Sequence, residues 1–87
     1  MADYEKHKKL ILDKIANAAC DDDKLFSEIT REVLELLQVE ESTLCRWIRV
    51  SKPTVVRWKL GTSHPAVYIR EYIFKEYVRM IEERTKT

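Results

Sequence analysis

Glycine and proline are scarce in this chain, and their scarcity limits the folds open to it. The 87 residues include one glycine and two prolines, while 45% of them are hydrophobic. β-Sandwiches need frequent turn residues, and a chain this rich in apolar residues is not disordered as a whole. The composition therefore predicts an all-α protein, either one domain or one domain with an extra helix.

The spacing of apolar residues predicts about five helices. They cover residues 4–19, 23–38, 41–48, 52–60 and 65–83. We expect a helical extension in residues 1–20 and a domain in residues 21–87, with a helix-turn-helix motif at about 41–61.

Polar and turn residues mark the expected helix ends. One of the three aspartates at 21–23 suits the cap of the second helix. Gly61 is expected to end the fourth helix in a left-handed conformation. Ser63 or His64 is expected to cap the last helix, with Pro65 near its first position.

Charge is segregated along the chain. The formal net charge is +1, yet residues 42–70 contain six basic residues and no acid. A local basic field of this kind favours contact with DNA. Residues 21–41 contain eight acids and two basic residues. We interpret them as a solvated helix surface rather than a docking site.

The basic stretch also has the spacing of a helix-turn-helix. Cys45 is a small residue at the expected helix crossing, and Val55 and Trp58 follow as inward-facing anchors. Ser51 stands where the second helix needs an N-terminal cap, and Pro53 lies in that helix's first turn, where proline is tolerated. For Trp47 the sequence does not decide between a core position and an exposed one.

In these residues the chain resembles the phage repressor and Cro-like (XRE-type) helix-turn-helix family. Members commonly read L-A-x-x-x-G-V-S-x-x-T-V-S-R-W-E-x-G-x-x-x-P. The matching residues are Leu44-Cys45, Val50-Ser51, Thr54–Lys59, Gly61 and Pro65. The clear match covers about residues 33–65, and a weaker one covers about 22–84.

Two departures from the family pattern bear on DNA docking. Arg49 replaces the turn glycine, and a left-handed residue with a side chain costs roughly 1 kcal/mol over glycine. Glu40 and Glu41 replace the family's Ser/Thr-Gln pair, whose glutamine often contacts a phosphate. Glu41 would repel that phosphate.

The resemblance implies a lambda-repressor-like fold. It also implies that the protein is a prokaryotic or phage repressor, a transcriptional regulator that binds double-stranded DNA at specific sequences. Its second motif helix, about residues 52–60, would lie in the major groove. The implied base-edge positions are Lys52, Pro53, Val56 and Arg57. The implied phosphate positions are Arg46, Arg49, Thr54, Lys59, Thr62, Ser63 and His64.

We expect the regulator to act as a homodimer, because a single motif buries too little surface for strong specificity. The last helix carries more apolar residues than one face can hold. Its surplus should meet the N-terminal helix or a second copy of the chain. The dimer candidates are Tyr72, Phe74, Tyr77, Met80 and Ile81.

A second hypothesis is a protein-interaction module that kept the fold and does not bind DNA, which Glu40, Glu41 and the acidic block support. An enzyme is disfavoured. The chain has no glycine-rich phosphate loop and no nucleophile with a base at a recognisable spacing. We therefore predict neither a cofactor nor a small-molecule substrate.

The remaining residues predict a protein without disulfides, metal or membrane contact. Cys20 and Cys45 are expected to be small buried side chains, and with His7 and His64 they show no spacing typical of zinc sites. No window is long and apolar enough to span a membrane, and the N-terminus lacks the pattern of a signal peptide. We expect a cytoplasmic protein.

Overall fold

The computed structural model describes residues 2–19 and 21–84, so the prediction for Cys20 lies outside the described residues. Within this part of the chain there are five α-helices and no strands, which confirms the all-α prediction. The helices are α1 (Ala2–Ala16), α2 (Asp23–Leu37), α3 (Glu41–Ile48), α4 (Lys52–Leu60) and α5 (Val67–Arg84).

Three predicted helix ends are confirmed, and one is wrong. Asp22 caps α2 by accepting the Leu25 amide at 3.0 Å, and Ser51 caps α4 by accepting the Thr54 amide at 3.3 Å. Gly61 ends α4 in the left-handed region, with φ of 80°. The last helix begins at Val67 instead of residue 65, because the preceding segment turns inward to contact α2.

The core is organised around Phe26 of α2. Its ring lies 5.4 Å from the ring of Trp58 and 5.5 Å from that of Phe74, measured between centroids. The Tyr77 ring is stacked at 6.4 Å. These contacts join α2 to α4 and α5, and they confirm the prediction that Trp58 is a core residue.

The N-terminal helix is part of the same packed structure. α1 contacts α2 and α5, and its Ile11 and Ile15 are buried. Lys14 also pairs with Glu32 of α2 at 2.8 Å. The surplus apolar surface of α5 was expected to meet either the N-terminal helix or a second copy of the chain. The N-terminal helix covers part of that surface.

This packing corrects four of the five dimer candidates. Phe74, Tyr77, Met80 and Ile81 are at most 7% exposed in the single chain, because α5 packs against both α1 and α2. The single chain already covers most of their surface. Tyr72 remains 59% exposed.

No helix within the described ranges combines the length and the apolar character needed to cross a membrane.

Candidate nucleic-acid interface

A sharp turn at residues 49–51 joins α3 to α4. Arg49 has φ of 61° and ψ of 47°, which confirms the predicted left-handed residue. The Val50 amide donates to the Cys45 carbonyl at 3.0 Å and closes the turn. Leu44 of α3 and Val55 of α4 are fully buried, and α3 packs against α4.

The outward face of α4 brings together the four predicted base-edge residues. Lys52, Pro53 and Arg57 are exposed and Val56 is half-buried. Their spacing places them on one side of the helix, opposite the buried Val55 and Trp58. Leu60, which is not among the predicted site residues, extends this face by one turn and is 65% exposed.

Four cations form what we call the basic surface, namely Arg46, Arg49, Lys52 and Arg57. All four side chains are exposed. Among the residues that the structure describes, no carboxylate lies within ion-pair distance of any of them. The positive charge at the α3–α4 turn and the start of α4 is therefore open to an anionic partner.

Lys59 is predicted to contact a DNA phosphate, but in the structure it pairs with a side chain of the same protein. Its Nζ donates to a carboxylate oxygen of Glu41 at 2.8 Å, which links the end of α4 to the start of α3. This hydrogen bond holds the pKa of Glu41 below its usual value. The negative charge of Glu41 is thereby largely balanced within the protein.

The structure places the side chain of His64, a predicted phosphate residue, against α2. Its side chain is only 18% exposed and turns toward α2, where Nε2 lies 3.1 Å from the Ser27 hydroxyl oxygen. Its Nδ1 lies 3.8 Å from a carboxylate oxygen of Asp23. The ring therefore packs the α4–α5 connection against the first turns of α2.

The three hydroxyl residues of the predicted phosphate set differ in exposure. Thr54 is half-buried, and its hydroxyl oxygen lies 2.6 Å from that of Ser51. Thr62 is exposed, and its amide donates to the Arg57 carbonyl at 3.0 Å. Ser63 is half-buried. Thr62 is the most accessible of the three.

Arg70 is the sixth basic residue of the stretch, and it lies in the interior. The side chain is 5% exposed and binds a carboxylate oxygen of Asp23 at 2.6 Å. Its Nε donates to the Pro65 carbonyl at 2.9 Å. Arg70 therefore fixes the start of α5 against α2 and adds little to the outward positive field.

Neither tryptophan is available to stack on a base. Trp58 is 4% exposed. Trp47 is half-buried, and the Arg84 guanidinium carbon lies 4.1 Å from its ring centroid, a cation–π contact between α3 and the end of α5. The interface is thus defined by charge and by the shape of α4.

No protein-family profile, curated protein or solved structure matches this chain. The resemblance in residues 33–65 therefore stays a prediction. Among the described residues, no group of three or more His, Cys, Asp or Glu side chains is placed to hold a metal ion.

Proposed function

We propose that this protein is a sequence-specific, double-stranded DNA-binding transcriptional regulator of the XRE type that inserts α4 into the major groove and acts as a homodimer. The observation that carries the proposal is the basic surface. Its four exposed cations have no acidic partner among the described residues and surround the outward face of a helix that is anchored by buried Val55 and Trp58. A rigid basic helix face suits the groove and its phosphates.

The roles of the exposed residues follow from their chemistry. The planar guanidinium of Arg57 can donate to O6 and N7 of one guanine, and Val56 can contact a thymine methyl group. Lys52 and Pro53 lie at the N-terminal end of α4, the part of a recognition helix that reaches base edges. Arg46, Arg49 and Thr62 are suited to phosphates on either side.

The pairing of Glu41 with Lys59 favours DNA docking over a module that avoids DNA. A free carboxylate at the start of α3 would repel a phosphate, but the ammonium group of Lys59 lies 2.8 Å from it. Glu40 is exposed, and among the described residues no basic group pairs with it. The sequence predicts that both Glu40 and Glu41 repel a phosphate, but the ion pair leaves only Glu40 to do so.

Binding-site selection from a random duplex pool tests the proposal, with wild type, Arg57→Ala and the control Lys9→Ala. Lys9 is an exposed residue of α1, so its substitution makes the same change in charge away from α4. We expect Arg57→Ala to relax the preference at one base pair by about 1–3 kcal/mol, and Lys9→Ala to keep it. An equal loss on all sequences would assign Arg57 to phosphate contact.

The second candidate function is a protein-interaction module. Leu60 favours it, because a leucine that is 65% exposed on the outward face of α4 gains nothing from phosphates and suits an apolar partner. A pool that yields no bound duplex even at low salt would favour this reading.

A further inference from the structure

The end of α5 contacts α3 through a cation and an aromatic ring. The central carbon of the Arg84 guanidinium lies 4.1 Å from the centroid of the Trp47 ring. Trp47 is half-buried, while Arg84 is exposed. An indole ring is the strongest aromatic partner of a guanidinium, and this distance is well within the range in which the attraction acts. Trp47 therefore restrains an exposed cation at the surface of α3.

Arg84 differs from the other described cations of α5 because no acid balances its charge. Arg70, Lys75 and Arg79 each lie within ion-pair distance of a carboxylate. Among the residues that the structure describes, no carboxylate lies within that distance of Arg84. Its chain neighbour Glu83 pairs with Arg79 instead, at 3.3 Å. The positive charge of Arg84 is thus open to an anion from outside the chain.

A guanidinium keeps hydrogen-bond donors free when an aromatic ring lies on one side of it. Its N–H groups form a planar fork, and the ring is attracted to the charge of the group without using the whole fork. Two parallel N–H donors match two oxygens of a phosphate, which makes arginine a common partner of that anion. Because the ring already restrains the long side chain, Arg84 loses less rotamer entropy on binding than a free surface arginine would.

The contact between Trp47 and Arg84 lies on the helix that carries part of the basic surface. Trp47 follows Arg46 in the last turn of α3, just before the turn into α4 at Arg49. Glu40 precedes the first residue of α3, about 10 Å along the helix axis from Trp47. That separation is about one Debye length at about 0.1 M salt, so salt screens much of the repulsion between Glu40 and an anion beside Arg84.

We propose that Arg84 binds a backbone phosphate of the DNA that the basic surface engages, and that Trp47 positions it. This role of Arg84 rests on the proposed function and extends it to α5, which lies outside the helix-turn-helix motif. Arg84 is the binding residue, because its guanidinium touches the phosphate. Trp47 is a positioning residue that acts through Arg84. A phosphate held beside α3 fixes the motif on the duplex without reading a base.

The salt dependence of duplex binding tests the role of Arg84. A labelled random-sequence duplex is titrated with wild type, Arg84→Met and Arg79→Met over a series of salt concentrations. At about 0.1 M salt we expect Arg84→Met to bind about three- to tenfold more weakly than wild type. The slope of the logarithm of the binding constant against that of the salt concentration should become smaller by about one unit, because one phosphate contact is lost.

Arg79→Met is the matched control, because it removes the same charge from the same helix. Arg79 is already paired with Glu76 and Glu83, so this variant should keep the wild-type slope. A slope that Arg46→Ala reduces and Arg84→Met leaves unchanged would overturn the role of Arg84 and leave the proposed function standing. A contact that only holds α3 against α5 would give that result, together with a lower urea midpoint. Wild type that binds no duplex at low salt would contradict both.

A double-mutant cycle tests whether Trp47 acts through Arg84. Trp47→Leu keeps every charge, and we expect it to weaken duplex binding about threefold in the wild-type background and by less than about 1.5-fold in Arg84→Met. Equal losses in the two backgrounds would contradict the positioning role. Urea unfolding checks that each variant is folded at the assay temperature. If Trp47→Leu is unfolded, Trp47→Phe takes its place, since it keeps a ring that attracts the cation more weakly.

Discussion

The guanidinium of Arg70 lies between a carboxylate oxygen of Asp23 at 2.6 Å and the Pro65 carbonyl at 2.9 Å. It also stands over the Phe26 ring, with its central carbon 5.7 Å from the ring centroid. A buried cation is tolerated only when it is paired and hydrogen-bonded, and here a single side chain connects the start of α2, the segment before α5 and the aromatic core.

Replacing Arg70 should therefore destabilise the protein. We expect Arg70→Met, which keeps much of the packing, to lower the free energy of unfolding by about 2 kcal/mol, measured by urea denaturation. Arg79→Met is the control. Arg79 forms exposed pairs with Glu76 and Glu83 on its own helix, and its loss should cost less than about 0.5 kcal/mol. Equal losses in the two variants would contradict the structural role of Arg70.

Tyr77 predicts a pH dependence at the residue scale. Its hydroxyl lies 2.9 Å from that of Thr30 in the interior, and burial raises the pKa of the phenol far above its ordinary value of 10.0. Below pH 10 the phenol is protonated in both states, so it adds no pH dependence. Above about pH 10 the unfolded chain releases the proton while the native chain retains it, and stability falls.

Comparison with Tyr77→Phe isolates this effect from other groups that titrate in alkali. Near pH 7 we expect the variant to be about 1 kcal/mol less stable, because Thr30 loses one partner. Above pH 10 the difference should shrink by up to about 1.4 kcal/mol per pH unit, since phenylalanine has no proton to release. A constant difference in urea midpoints from pH 7 to pH 11 would show that Tyr77 ionises normally in the native state.

At the scale of elements, the ends of α2 and α3 share an uncommon conformation. Both helices end in a left-handed residue that is not glycine, Gln38 with φ of 55° and Arg49 with φ of 61°. Glycine would adopt this conformation without the clash of a β-carbon.

Gln38 and Arg49 can be compared directly, because both are left-handed residues at the end of a helix. We expect Gln38→Gly and Arg49→Gly each to raise stability by about 0.5–1 kcal/mol in thermal or urea unfolding. Arg49→Gly alone should weaken duplex binding, because it removes one cation of the basic surface. Equal DNA affinity in the two variants would remove Arg49 from the interface.

The link between α3 and α4 gives a further prediction. Glu41→Gln leaves Lys59 without its ionic partner, so we expect duplex binding to tighten about three- to tenfold in a fluorescence titration. The hydrogen bond from Lys59 lowers the pKa of Glu41, so its contribution to stability is present above about pH 4.5 and lost as the pH falls through the lowered value. Unchanged or weaker binding by Glu41→Gln would contradict the role of Lys59 as a latent phosphate contact.

The helices were more predictable from sequence than the side-chain contacts. The bounds of α3 and α4 were predicted correctly because local signals mark them, namely the cap at Ser51, the left-handed Gly61 and the apolar spacing between them. The inward turns of His64 and Arg70 were not predicted, because their partners Ser27 and Asp23 lie far away along the chain. Only the tertiary packing shows that Arg70 is buried while Arg57 is exposed.

At the scale of the whole molecule, the net charge of +1 conceals an uneven distribution. Ion pairs neutralise Lys14, Lys59 and Arg70 within the protein, while the basic surface remains open. The exposed apolar surface is also unevenly distributed. Packing against α1 and α2 buries four of the five dimer candidates on α5, while Val67, Tyr68, Ile69 and Tyr72 in its first two turns remain exposed.

The most direct test of the central claim is the salt dependence of binding to a labelled random-sequence duplex, followed by fluorescence anisotropy. Phosphate contacts release counterions, so the logarithm of the binding constant should fall linearly with that of the salt concentration. We expect a slope of about −3 to −4 per copy of the chain, reduced by about one unit in Arg46→Ala and unchanged in Lys9→Ala. No binding at low salt, or a slope near zero, would contradict the assignment of the basic surface to DNA.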